Sequence, residues 1–227
     1  MKFAFDWDWP GAEAEYKRAI ELNPNYATAH HWYADFLGVM GRHDEARTEI
    51  DKALELDPLS LIINGESGRL YQWAGLYDDA LKQEQKTLEM DPGFIPTHYW
   101  LFQWYLRQGR SDEAFTHFMG HFPAYHNMTT AEKDTLQNRY QNSNWNGVAR
   151  FMINKLEVKS REKYVAPSKL SVYYVMLNDH ARALDYLEKA YQVRAAQMVY
   201  IGLEAEFDAL RKEPRFQELL KKVGLEE

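Results

Sequence analysis

The chain has 227 residues, 45% hydrophobic and 15% aromatic, which is ample apolar surface for a sizeable core and excludes a disordered segment. Its formal net charge is −7 with no basic run, which argues against a grip on phosphate backbones, and it has no cysteine for disulfides or thiolate chemistry. No apolar run approaches the ~20 residues of a membrane span, and the first ten residues lack a signal peptide's apolar core, so the expectation is a soluble, cytoplasmic chain.

Taken in order, residues 1–26 read as the second half of a repeat whose first helix is absent. Asp8 can cap, Pro10 suits a first helical turn, and Ala12, Tyr16, Ala19 and Pro24 begin a pattern that returns. Ala12, Ala46, Ala80 and Ala114 are each 34 residues from the next; Gly41, Gly75 and Gly109 keep the same interval, as do Pro24, Pro58 and Pro92. A strict period with small residues at fixed phases predicts stacked helix–turn–helix units. Within 27–60, Tyr33, Ala34 and Leu37 form one apolar face and Ala46, Ile50 and Ala53 the other, with Pro58 as the stop. Ala34 and Ala46 are small because two antiparallel helices approach closely there, where a larger side chain would cost about 1–3 kcal/mol.

The next repeats are expected at 61–94 and 95–126. The former puts Glu84 and Thr87 at apolar phases; in the latter, Gly120 and Pro123 predict a shortened second helix and a loop from Gly120 to Thr130. Divergent repeats follow at 127–163, with its turn at Trp145 and Asn146, and at 164–197. Residues 198–227 read as a terminal cap, in which Phe207, Leu210, Phe216, Leu219 and Leu220 alternate with charge. The fold class is all-α: a right-handed α-solenoid closed by a C-terminal capping helix. Phe3, Phe5 and Trp7 are left seeking cover, either because the chain is a piece of a longer protein or because this end makes a homodimer.

In phase and residue type together, the sequence resembles the tetratricopeptide repeat (TPR) family. Asp6-Trp7-Asp8-Trp9, the run from Asn23 to His30, the run from Leu56 to Ser60 and the run from Pro214 to Leu220 make it similar to C-terminal repeat regions of some bacterial winged-helix transcriptional regulators, class III adenylate cyclases and signalling kinases. The resemblance covers nearly the whole chain and implies a regulatory or sensor module of a larger signalling or transcription protein. No phosphate-binding glycine loop, Gly-x-Ser-x-Gly or kinase motif set is present.

In such a stack the first helices line a concave face. The groove candidates are His31, Asp35, Arg69, Gln72, Trp73, Tyr99, Gln103, Arg107 and Asn138, rich in aromatic, arginine and amide anchors for a peptide, helix or partner domain. A segment of the same protein could fill the groove by the same physics, and a small-molecule sensor groove is a further alternative. Some relatives hold a chaperone's acidic C-terminus with a lysine, asparagine and arginine clamp; His31, Gly65, Tyr99, Asp35, Arg69 and Gln103 do not match it. Arg69 and Arg107 could pair with a carboxylate at a different site. Of His30 and His31, one is expected to pack and one to face the groove.

No catalytic residue, cofactor site or metal site is assigned. His117 and His121 are four apart and His126 follows, but Gly120 and Pro123 argue against a continuous helix there and no carboxylate completes a known metal-ligand spacing. Asp44, Glu45, Asp78, Asp79, Asp112 and Glu113 all fall in first turns of second helices, where the helix dipole accounts for them at ~0.3–1 kcal/mol each. The expectation is a non-enzymatic interaction module for protein partners, without nucleic acid or membrane binding by this segment.

Overall fold

The computed structural model describes residues 2–225, and the secondary structure is helical with no strand among them. Packing divides the chain into two compact units: residues 8–124 with 2–3, and residues 125–225 with 4–7.

The first unit is a run of helical hairpins. Its helices are α1 Trp9–Leu22, α2 Ala27–Val39, α3 His43–Leu56, α4 Leu61–Trp73, α5 Tyr77–Met90, α6 Ile95–Arg107 and α7 Ser111–Tyr125. Asp8 caps α1 by accepting from the Gly11 N–H at 3.0 Å, with Pro10 in the first turn. The turns at Gly41, Gly75 and Gly109 share φ of +70°, +75° and +69°, a left-handed bend that glycine adopts without penalty. Helix α2 packs on α3 and α4, and α4 packs on α5 and α6, so first helices lie side by side. Ala34, Ile50, Ala53, Ile63 and Leu70 form one core across the first two hairpins. The small alanines are buried: Ala12, Ala46, Ala80 and Ala114 are each at most 3% exposed.

A hydrogen-bond ladder repeats with the helices. His30 Nε2 lies 2.9 Å from Pro24 O, Asn64 Nδ2 donates to Pro58 O at 2.9 Å, and His98 Nε2 lies 2.9 Å from Pro92 O. The other end of each side chain meets the following helix: His30 with Glu49 at 2.6 Å, Asn64 with Gln83 at 2.8 Å, and His98 with His117 at 3.0 Å. All three members of each set are one period apart. The prolyl carbonyl at each repeat junction thereby finds a side-chain partner on the following helix.

Two expectations for this unit are corrected. Helix α7 is not cut short at Gly120; it continues through Pro123 to Tyr125, and only residues 126–129 separate it from the next helix. Pro123 falls in the last turn, so its missing N–H removes a single i→i−4 bond with little helix beyond it to disrupt, and Phe118 and Phe122 anchor that turn by stacking at 4.1 Å. At the start of the chain, Phe3 is covered by Trp9 and Phe36, with ring centroids 5.8 and 5.9 Å away.

The second unit holds α8 Thr130–Ser160, α9 Pro167–Met176, α10 His180–Gln192, the 3-10 turns Ala196–Val199 and Ala205–Leu210, and α11 Pro214–Val223. Helix α8 is two arms broken at Asn144 (φ 49°, ψ −146°), so the turn is one residue earlier than Trp145 and Asn146 suggested. Asparagine is among the few side chains that tolerate positive φ. Tyr173, Met152, Leu156, Leu187, Phe207 and Phe216 are fully buried, and α11 packs on α10. In this unit Trp7 stacks on Tyr191 at 5.2 Å, and Arg194 lies over Trp7 while donating to the carbonyls of Phe5 and Asp6. Of the three apolar residues that sought cover, Phe5 alone stays exposed.

Candidate interaction site

The face expected to form the groove of the first unit is carried by α2, α4 and α6, and their close approach is a sequence property. A Cβ on Gly65 would come within 2.5 Å of the Trp100 ring and 2.7 Å of Thr97 Oγ1, so only glycine lets α6 seat against α4 here. Eight of the nine expected groove residues lie on these helices: His31 and Asp35 on α2, Arg69, Gln72 and Trp73 on α4, and Tyr99, Gln103 and Arg107 on α6. Asn138 is exposed on α8, in the second unit.

The centre of this surface is a charge network. Arg69 Nη2 bonds Asp35 Oδ1 at 2.5 Å, one period away in sequence, and also contacts Glu66. His31 Nε2 lies 4.0 Å from Glu66 Oε2. Asp35 is fully buried, while His31 and Glu66 are 3% and 5% exposed. Burial pulls His31 down to about 4, with Asp35 opposing and Arg69 adding to the shift, so the ring is neutral at pH 7. Two carboxyl groups thus face one guanidinium in the network. Aromatic rings border it. Arg69 lies 4.2 Å over Trp73 and 5.7 Å from Trp100, and Trp32 stacks beside His31 at 4.9 Å with 47% of its surface exposed.

This changes three expectations. His30 and His31 both pack, one in the ladder and one in the network. Asp35 and Gln103 are buried rather than presented, and Gln103 donates to the Tyr99 hydroxyl at 2.7 Å. Arg69 is engaged by two carboxylates of its own chain, so it is not an open partner for an incoming carboxylate. Gln72 is half-buried and donates to Glu84 at 2.6 Å; Arg107 is exposed at the end of α6. The sequence reading missed Trp32 and Glu66. Both share one repeat phase with Trp100, and that phase was left out of the groove set.

The histidine pair considered for metal is otherwise engaged. His117 bonds His98 and stacks on Tyr105, and His121 lies 3.3 Å from Ile95 O and against Tyr99. Among the described residues no group of three His, Cys, Asp or Glu side chains could hold a metal, and no helix is long and apolar enough to cross a membrane.

The fold and this surface define the class: an all-α solenoid of helix–turn–helix repeats. Residues 15–48 match a family model described as tetratricopeptide repeat, a span one period long. No curated protein matches the chain. Among solved structures, a tetratricopeptide repeat protein from Parabacteroides merdae ATCC 43184 superposes with a TM-score of 0.52 at 17% identity, covering 96% of this chain and 86% of that one. MamA superposes with a TM-score of 0.43 at 15% identity, covering 82% and 88%.

Proposed function

We propose that the chain is a non-catalytic interaction module whose first-unit groove binds a peptide, helix or partner domain, as a regulatory part of a larger bacterial signalling or transcription protein. The observation that carries this is the aromatic-bordered network of His31, Asp35, Glu66 and Arg69, with Trp32 half exposed at its rim. Tetratricopeptide repeats are generally protein-interaction modules, and Trp, Tyr and Arg are the side chains that dominate such interfaces. With two carboxyl groups against one guanidinium, the network favours a partner segment that brings a lysine or arginine to the rim. The homodimer alternative would draw on Phe5, Leu22 and Tyr26, the exposed large apolar side chains among the described residues of 1–26.

The test must avoid the buried charges. Removing Arg69 would strand two carboxylates and cost about 3–5 kcal/mol of stability, which would mask any loss of binding. Trp32→Ala and Arg107→Ala leave the network intact. Peptides selected from a displayed random library against the wild-type chain should be enriched in basic residues and bind both variants at least about tenfold more weakly, about 1.4 kcal/mol, by fluorescence anisotropy. Selected peptides that bind both variants as tightly as wild type would refute the site.

A further inference from the structure

The second unit holds a cleft of about 720 Å3 along the broken helix α8. Arg139, Arg150, Lys155, Lys159 and Lys163 line it, against two carboxylates, Glu132 and Glu162. That is an excess of three positive charges in a chain whose formal net charge is −7. Glu132 is committed to Lys155 and to the cap of α8 at Thr129. Arg139, Arg150, Lys159 and Lys163 form no ion pair with any described residue.

The clustering works against the fold. Lys155, Lys159 and Lys163 recur every four residues, and the Lys163 N–H bonds Lys159 O at 3.0 Å, so the helical register carries past Ser160. Like charges at that spacing destabilise a helix. Lys159 is half-buried; burial first, then the charges of Lys163, Lys169 and Lys155, hold its ammonium below the usual lysine range, against the pull of Tyr125. A half-buried, unpaired Lys159 with the exposed cations Arg139, Arg150 and Lys163 around one concavity, without enough carboxylates to balance them, is the electrostatic mark of an anion site.

The shape narrows the ligand. The cations come from both arms of α8 and the turn after it, and they converge on one concavity rather than running along a track. Its volume is in the range that encloses a small molecule, and Phe151 and Val158 add apolar wall beside the charges. We infer that this cleft binds a small polyanion bearing two or more phosphoryl or carboxylate groups. The site is separate from the first-unit groove, and either can fail without the other.

Calorimetric titration of the whole chain at constant ionic strength tests it, with pyrophosphate, citrate and an octaglutamate peptide as probes. Saturable heat from pyrophosphate marks a phosphoryl ligand and from citrate a carboxylate ligand, and either supports the site. The double variant Arg150→Gln with Lys159→Gln should weaken that binding at least tenfold, and exposed Lys163→Gln alone at least threefold. A charge-matched control, Lys86→Gln with Lys212→Gln, should stay within twofold of wild type. The unliganded cleft variants should melt at or above the wild-type temperature, because repulsion has been relieved; a loss of binding then cannot come from misfolding. Equal weakening in the control, no saturable heat from either small anion, or binding of octaglutamate alone overturns the proposal.

Discussion

Glu84 occupies the phase that Ile50 and Phe118 fill in the neighbouring repeats, and the structure leaves it in the core between α4 and α5, fully buried. Oε1 accepts from Gln72 Nε2 at 2.6 Å, and Oε2 has no hydrogen-bond partner among the described residues. Burial pushes this carboxyl well above 4.5, against the pull of the Gln72 bond. In that state the folded chain keeps a proton that the unfolded chain has released. The contribution to stability is complete below the unfolded pKa and declines as pH rises toward the folded one, by at most about 1.4 kcal/mol per pH unit. His31 and His117, both lowered to about 4 chiefly by burial, have the opposite sign: the unfolded chain takes up their protons first, so stability falls as pH drops from 6.5. Above pH 6.5 the glutamate acts without them. Glu84→Gln, which keeps the acceptor for Gln72, should therefore stabilise the chain in urea titrations at pH 8 by about 1–3 kcal/mol and by less at pH 5. An equal gain at both values would show that Glu84 is charged in the fold.

At the scale of the helical element, the ladder and the close approach make separate demands. Asn64 donates to Pro58 O and Ser60 O and accepts from Gln83, so Asn64→Ala strips a buried junction of three bonds. The expected loss is about 2 kcal/mol in the urea midpoint. Asn64→His should recover much of it, because imidazoles at this phase already reach the prolyl carbonyls in both adjoining repeats. Gly65→Ala sets two effects against each other: helix propensity favours alanine by ~1 kcal/mol. The new methyl, however, would sit 2.5 Å from the Trp100 ring, where overpacking costs about 1–3 kcal/mol, so the variant should be less stable. These elements also show what the sequence could and could not reveal. Ala46 and Gly41 repeat as identities, so the hairpins were legible. The ladder repeats as chemistry, with His30, Asn64 and His98 unlike in name and alike in reach, and a search for recurring identities passes over it. Arg69 was legible as a groove arginine, but its engagement by Asp35 required the distance between neighbouring first helices, which spacing alone does not supply. Pro123 misled for the reverse reason: the rule against proline in helices is strongest in their interiors, and this one stands beside the helix end.

For the molecule as a whole, each unit closes a core of its own: Ala34, Ile50 and Leu70 among others in the first, and Met152, Tyr173, Leu187 and Phe216 in the second. In repeat architectures stability is close to a sum of units and their nearest neighbours, so a local loss stays near its source. The phase weakened after residue 126 in sequence, and it is there that the second unit departs, through the kink at Asn144 and the two 3-10 turns, from regular hairpins. Native-state hydrogen exchange reads this directly, because sub-global opening reports the free energy of the unit that opens. Asn64→Ala should speed exchange of the slow amides in α3, α4 and α5 by about thirtyfold, the equivalent of its 2 kcal/mol, while amides in α9, α10 and α11 stay within about threefold of wild type. The converse holds for Leu187→Ala, whose cavity costs about 2–5 kcal/mol and should be felt in α9 to α11 first. If either substitution sped exchange equally in all of these helices, the chain would be opening as one cooperative body, and the additive account of its stability would be wrong.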